Sequence, residues 1–158
     1  MPAYSISVTK LYEQSLAERG YQADDAQRKG IAALQRCQDE WAGYKRQRSN
    51  ALTKMLRYPD LPRGVYMYGG VGRGKSFIMD CFFNAVPLQR KTRLHFHEFM
   101  REVHRQLHEL KGVADPLDVL AKRMSRRHRL ICFDEFHVAD VTDAMILHRL
   151  LDAMFRYR

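Results

Sequence analysis

The sequence predicts an α/β fold, a parallel sheet flanked by helices, behind an N-terminal helical arm. Three observations predict it. Short apolar runs at 65–68, 92–96 and 130–133 have the length of buried strands, and each is followed by a helical pattern. A glycine-rich turn, Gly69-Gly70-Val71-Gly72-Arg73-Gly74-Lys75-Ser76, separates the first run from its helix. The third run ends on two adjacent carboxylates, Asp134 and Glu135.

The elements follow in order. A helix over residues 4–19 stops at Gly20, since glycine accepts the left-handed conformation that ends helices. A second opens behind Asp24, a good N-cap, and carries Ile31, Leu34, Trp41 and Tyr44 at helical spacing. It breaks near Ser49 and Asn50, and a short apolar segment with Leu52, Met55 and Leu56 ends at Tyr58-Pro59. Residues 1–58 therefore read as a helical arm, 59–64 as a linker, and 59–158 as a nucleotide-binding domain. Beyond the turn, a helix over 77–84 ends at Pro87. A strand follows at 92–96, and His95 and His97, two apart, would share one face of any strand reaching both. A helix over 98–111 stops at Gly112 and holds His104 and His108 one turn apart. That spacing can clamp zinc, but Arg105 stands where a metalloprotease needs Glu, so both are read as structural histidines. Asp115-Pro116 opens the next helix, the strand at 130–133 follows, and Asp140 caps a last helix whose apolar face includes Leu147, Leu150 and Leu151.

The turn carries the chemistry. Gly69, Gly74, Lys75 and Ser76 fit G-x-x-x-x-G-K-[ST], the phosphate-binding loop of P-loop NTPases. Glycines let backbone N–H groups crowd an anion, and the helix N-terminus behind them favours negative charge. Gly69, Gly70, Val71, Gly72, Arg73, Gly74, Lys75, Ser76 and Phe77 are the expected nucleotide-binding residues. Lys75 brings a cation to the β- and γ-phosphates, and the Ser76 hydroxyl is a ligand for Mg²⁺. Asp134, at a strand end, is the second metal ligand. Glu135 is expected to polarise the attacking water, which makes Glu135 and Lys75 the catalytic pair. ATP and magnesium are the cofactors this set calls for. Gln27, early in the arm, is within possible reach of an adenine.

Composition narrows the alternatives. The 158 residues are 46% hydrophobic, enough for a core, and no apolar run nears the ~20 residues of a membrane span. No secretory signal opens the chain, and Cys37, Cys81 and Cys132 are scattered and odd in number. Such cysteines read as small buried hydrophobes in a reducing compartment, so a cytoplasmic protein is expected. The net charge of +9 gathers in clumps such as Arg126, Arg127 and Arg129. Aromatics do not interleave with them as on a base-stacking platform, so solvated surface is favoured over a nucleic-acid track.

Four strings carry a resemblance: GVYMYGGVGRGKS at 64–76, LHFHEFMREVH at 94–104, Asp115-Pro116-Leu117, and CFDEFHVADVTDAMIL at 132–147. Over residues 24–158 the chain resembles the AFG/LACE-type ATPases. The resemblance implies an AAA+-type (ASCE) P-loop ATPase that remodels a protein partner. It places Gly72, Gly74, Lys75 and Ser76 on phosphate and Mg²⁺, Asp134 on the metal and Glu135 on water. Bacterial members act at the division ring on FtsZ filaments. Mitochondrial relatives serve protein quality control at the inner membrane. With no transit peptide visible, the bacterial kind is expected. Self-association into a ring and peripheral membrane contact at the division site are further implications. Family members continue past residue 158 with a strand that lies between 65–68 and 130–133, then an arginine finger. The sheet is therefore expected to be incomplete and hydrolysis by this chain alone feeble, since a lost arginine finger costs ~10³-fold or more. Two other readings stand beside this one. Residues 134–137 (DEFH) spell a DExH box, which suggests a nucleic-acid-dependent motor, although such motors need a second domain. The third reading is a fragment that binds nucleotide without turning it over.

Overall fold

The computed structural model describes residues 6–56, 58–70, 72 and 74–157. The described elements run α1 (Val8–Arg19), α2 (Asp25–Gln47), α3 (Ala51–Leu56), α4 (Lys75–Ala85), β1 (Lys91–His95), α5 (Phe96–Glu109), α6 (Pro116–Arg127), β2 (Leu130–Asp134) and α7 (Val141–Arg156). They form two compact units, Met1–Pro87 and Leu88–Arg158.

In the first unit α1, α2 and α4 pack together, so the expected arm and the helix behind the phosphate loop share one core. Local chemistry sets the ends of the helices. The Ser7 hydroxyl caps α1 by accepting the Lys10 N–H at 3.1 Å, and Asp24 caps α2 by accepting the Ala26 N–H at 3.0 Å. Gly20 ends α1 at φ 65°, as its position in the sequence predicts. Of the predicted apolar stripe of α2, Ile31, Leu34 and Trp41 are buried and Tyr44 half-buried, and Cys37 is buried alongside them. One polar side chain lies within that stripe. Gln38 is 3% exposed; its Oε1 accepts the Val8 N–H at 2.9 Å, and its Nε2 donates to the carbonyls of Ile6 and Ala85, each at 3.0 Å. The amide thus ties the start of α1 and the end of α4 to α2, with its hydrogen-bonding capacity used inside the core.

Residues 65–68 do not form the expected strand. Their burial alternates, with Val65 and Met67 half-buried, Tyr66 and Tyr68 exposed, and those two rings stacked with centroids 6.4 Å apart. A strand also needs a neighbour to take its N–H and C=O groups. The sheet among the described residues has two strands, β1 and β2.

In the second unit β1 and β2 pair in parallel, from Lys91 opposite Leu130 to His95 opposite Asp134. Parallel strands need a long crossover, here α5 and α6. The strand β1 ends one residue earlier than predicted, because Phe96 turns inward and opens α5. Phe96, Phe99, Met100 and Val103 then follow at helical spacing, all buried. His95 and His97 consequently straddle a strand–helix junction, with ring centroids 5.9 Å apart. The core joins that face to Leu117, Leu120 and Ala121 of α6 and Leu147, Leu150 and Ala153 of α7. Phe133 of β2 packs edge-on against Phe99 at 4.7 Å and Phe96 at 5.7 Å, which fixes the strand from behind its acidic end. Asp115 and Asp140 cap α6 and α7 through the N–H groups of Asp118 and Asp143. The His104 Nε2 lies 2.7 Å from the Asp143 Oδ1 and joins α5 to α7. Among the described residues no helix is long and apolar enough to cross a membrane.

Candidate functional site

The loop expected to hold phosphate leads directly into α4. Gly74 is the residue before the helix, with φ 71° and ψ 21°, a left-handed conformation that a side chain resists. Gly74 brings no side chain of its own to cap the amides of the first turn. Lys75 is the first helical residue, and its Nζ donates to the carbonyls of Gly69 at 2.8 Å and Gly70 at 2.7 Å. The ammonium is thus folded over the loop that it follows. Ser76, next in the helix, is exposed. Val71 and Arg73 lie outside the described residues.

The arm meets this loop through side chains whose partners the sequence does not reveal. The Gln27 amide of α2 lies against Gly74: a Cβ there would stand 2.7 Å from Gln27 Nε2. The Tyr12 hydroxyl donates to Gln27 Oε1 at 2.7 Å, and the Tyr12 ring packs on Phe77 with centroids 5.8 Å apart. Burial raises the Tyr12 hydroxyl above the usual tyrosine pKa. The Arg19 guanidinium lies 4.9 Å from the centre of the Phe77 ring. Phe77, expected near the nucleotide, is therefore sandwiched by α1. The period-3.6 spacing of Tyr12 with Leu16 and Arg19 is the available signal, but periodicity cannot say which helix lies opposite.

In the second unit β2 presents the acidic pair at its C-terminal end, where open α/β sheets bind ligands. Asp134 is the last strand residue, and its side chain is 13% exposed. Arg93 of β1 reaches it with both Nε, at 2.8 Å, and Nη2, at 2.5 Å, on the same oxygen, Oδ2. Glu135 follows at φ 52°, the one non-glycine residue with positive φ among those described, and it is exposed. A non-glycine residue there is uncommon and strained, a feature that concentrates at functional positions.

The residues fit the groups expected of them. Glycine-lined backbone, a helix start and an ammonium suit phosphate. A hydroxyl on Ser76 and a carboxylate on Asp134 are hard oxygen donors, the kind magnesium takes alongside phosphate oxygens.

A phosphate loop opening a helix, and an acidic strand tip in a parallel sheet, define a P-loop NTPase. The chain matches the AFG1-like ATPase family over residues 6–158, and it belongs to that family. It is 39% identical over 162 residues to the cell division protein ZapE of Escherichia coli K12, an alignment covering 96% of this chain and 43% of that protein. It is 42% identical over 109 residues to lactation elevated protein 1 homolog B of Danio rerio, covering 62% of this chain and 22% of that protein. The chain therefore spans less than half the length of these relatives. No solved structure matches it.

Proposed function

We propose that the chain binds a magnesium nucleoside triphosphate, ATP, and that the protein it represents hydrolyses ATP to remodel a protein partner. The observation that carries this reading is Lys75, set at the start of α4 with its ammonium over the Gly69 and Gly70 carbonyls. In this reading Gly69, Gly70, Val71, Gly72, Arg73, Gly74 and Phe77 form the nucleotide cradle. Lys75 neutralises charge that builds on the phosphates, and Ser76 and Asp134 hold the Mg²⁺. Bound there, the ion supplies electrostatic stabilisation of the phosphoryl group. Glu135 orients and polarises water. The relative's name as a cell division protein supports the division ring as the place of action. The finer proposals are FtsZ filaments as the partner, self-association into a ring, a cytoplasmic location, and peripheral contact with the membrane at the division site.

Calorimetry with ATP and Mg²⁺ tests the binding step. Lys75→Ala is expected to abolish triphosphate binding, and unchanged affinity would remove the loop from the mechanism. Glu135→Gln is expected to keep ATP bound while turnover slows by about 10²-fold or more, measured as phosphate release by the full-length protein. Normal release would make Glu135 a bystander.

A further inference from the structure

Arg93 has no place in the site as read from the sequence, yet it bonds directly to the expected metal ligand. It sits on β1 opposite Cys132, and Asp134 lies two residues further along β2. Alternate strand residues share a face, so Arg93, Cys132 and Asp134 present to the same side of the sheet. The guanidinium does not straddle the carboxylate. Both of its contacting nitrogens converge on Oδ2. The two side chains are 28% and 13% exposed, so solvent screens this pair less than a surface pair.

We infer that Arg93 is a positioning residue that acts as a counter-ion to Asp134 and competes with the divalent cation for it, thereby setting the cation affinity of the site. The inference rests on the reading of Asp134 as a metal ligand. A carboxylate already neutralised by a guanidinium draws a second cation less strongly. Its Oδ2 must also share or exchange its nitrogen donors before metal can use it. Without the guanidinium, a largely buried carboxylate is left short of positive charge, and a cation from solution takes that place. Lysine keeps the charge but loses the two-donor fork, so its effect falls between.

The test is Mn²⁺ binding, followed by electron paramagnetic resonance, to the chain in the presence of a non-hydrolysable ATP analogue. Arg93→Gln is expected to tighten Mn²⁺ about tenfold and Arg93→Lys by less, from loss of one nearby charge or one contact. Nucleotide affinity in EDTA is expected to stay the same for both. Thermal melts give a second readout: Mn²⁺ raises the melting temperature of Arg93→Gln more than that of the unaltered chain. Unchanged or weaker Mn²⁺ affinity in a folded Arg93→Gln overturns the proposal, and Arg93→Lys serves if the glutamine variant does not fold. Asp134→Asn separates the two levels. If it leaves Mn²⁺ affinity intact, Asp134 holds no metal and the underlying reading falls. If it weakens Mn²⁺ while the Arg93 variants change nothing, only the role of Arg93 falls.

Discussion

The Tyr12 hydroxyl donates a hydrogen bond to Gln27 Oε1 at 2.7 Å, so α1 and α2 are joined beside the glycine that opens α4. This contact makes the helical arm part of the wall of the phosphate loop. Tyr12→Phe keeps the ring against Phe77 and removes the bond alone. Urea unfolding is expected to show a loss of about 1 kcal/mol, the net worth of one such bond. Calorimetry is expected to show weaker ATP binding as Gln27 loses its anchor. Unaltered affinity at reduced stability would make the contact purely structural.

Gly74 answers to two constraints at once. Its φ of 71° disfavours any Cβ, and a Cβ there would also meet Gln27 Nε2 at 2.7 Å. Gly74→Ala is expected to cost about 1–2 kcal/mol from the left-handed backbone. Triphosphate binding is expected to fall with it, because the first turn of α4 must shift. Shortening the neighbour in Gly74→Ala/Gln27→Ala is expected to recover only the steric part, and full recovery of binding would show the backbone angle to be unimportant.

Gln38 holds three backbone groups of two other segments within the core. Gln38→Leu fills similar space but leaves the Val8 N–H and the carbonyls of Ile6 and Ala85 without that partner. The expected loss is about 3 kcal/mol or more, since each buried group left unpaired costs about 1–3 kcal/mol. Denaturant melts measure it. A loss below about 1 kcal/mol would mean that these groups find water or other partners.

Cys37 is buried, and burial pushes its thiol up to about 11, with the nearby Glu40 charge adding to the effect. At pH 8 only about one thiol in a thousand is thiolate, and the thiolate is the nucleophile. Alkylation by iodoacetamide is expected to be slow on the folded chain and fast in denaturant. Linkage fixes the sign of the pH effect. The folded state holds this proton more tightly than the unfolded one, so stability from this group is complete below the unfolded thiol pKa. It declines as pH rises from there toward about 11. Cys37→Ala is expected to flatten that alkaline decline, and an unchanged profile would assign it to other groups.

Much of the fold is legible in the order of the residues. Asp24, Asp115 and Asp140 each cap a helix and Gly20 ends one, while α1 opens behind Ser7, inside the helix expected from residue 4. Ile31, Leu34, Trp41, Leu147 and Leu150 are buried as their spacing predicts, whereas Leu52, Met55, Leu56 and Phe155 are exposed. The strand expected at 92–96 forms to within a residue, and its boundary moves because Phe96 gains more in the core than at a strand end. The phosphate loop is readable because its chemistry is backbone chemistry: glycines, an ammonium and a helix start lie consecutively along the chain.

What lies beyond the sequence is every relation between side chains far apart in it. Tyr12 with Phe77 and Gln27, Gln38 with Ala85, and Arg93 with Asp134 are separated by 15 to 65 residues (77 − 12 = 65). Only the packing of helix on helix and the register of one strand against its neighbour decide them. The run at 65–68 makes the same point in reverse. Its burial alternates as a strand requires, but a strand is completed by the groups that bond to it, and the sheet among the described residues holds only β1 and β2. The sequence by itself determined which segments coil, where most helices start and stop, and which glycine-rich turn opens α4. Tertiary structure decided which cations, amides and rings face Gly74, Phe77 and Asp134, because such contacts depend on three-dimensional distance rather than on position along the chain.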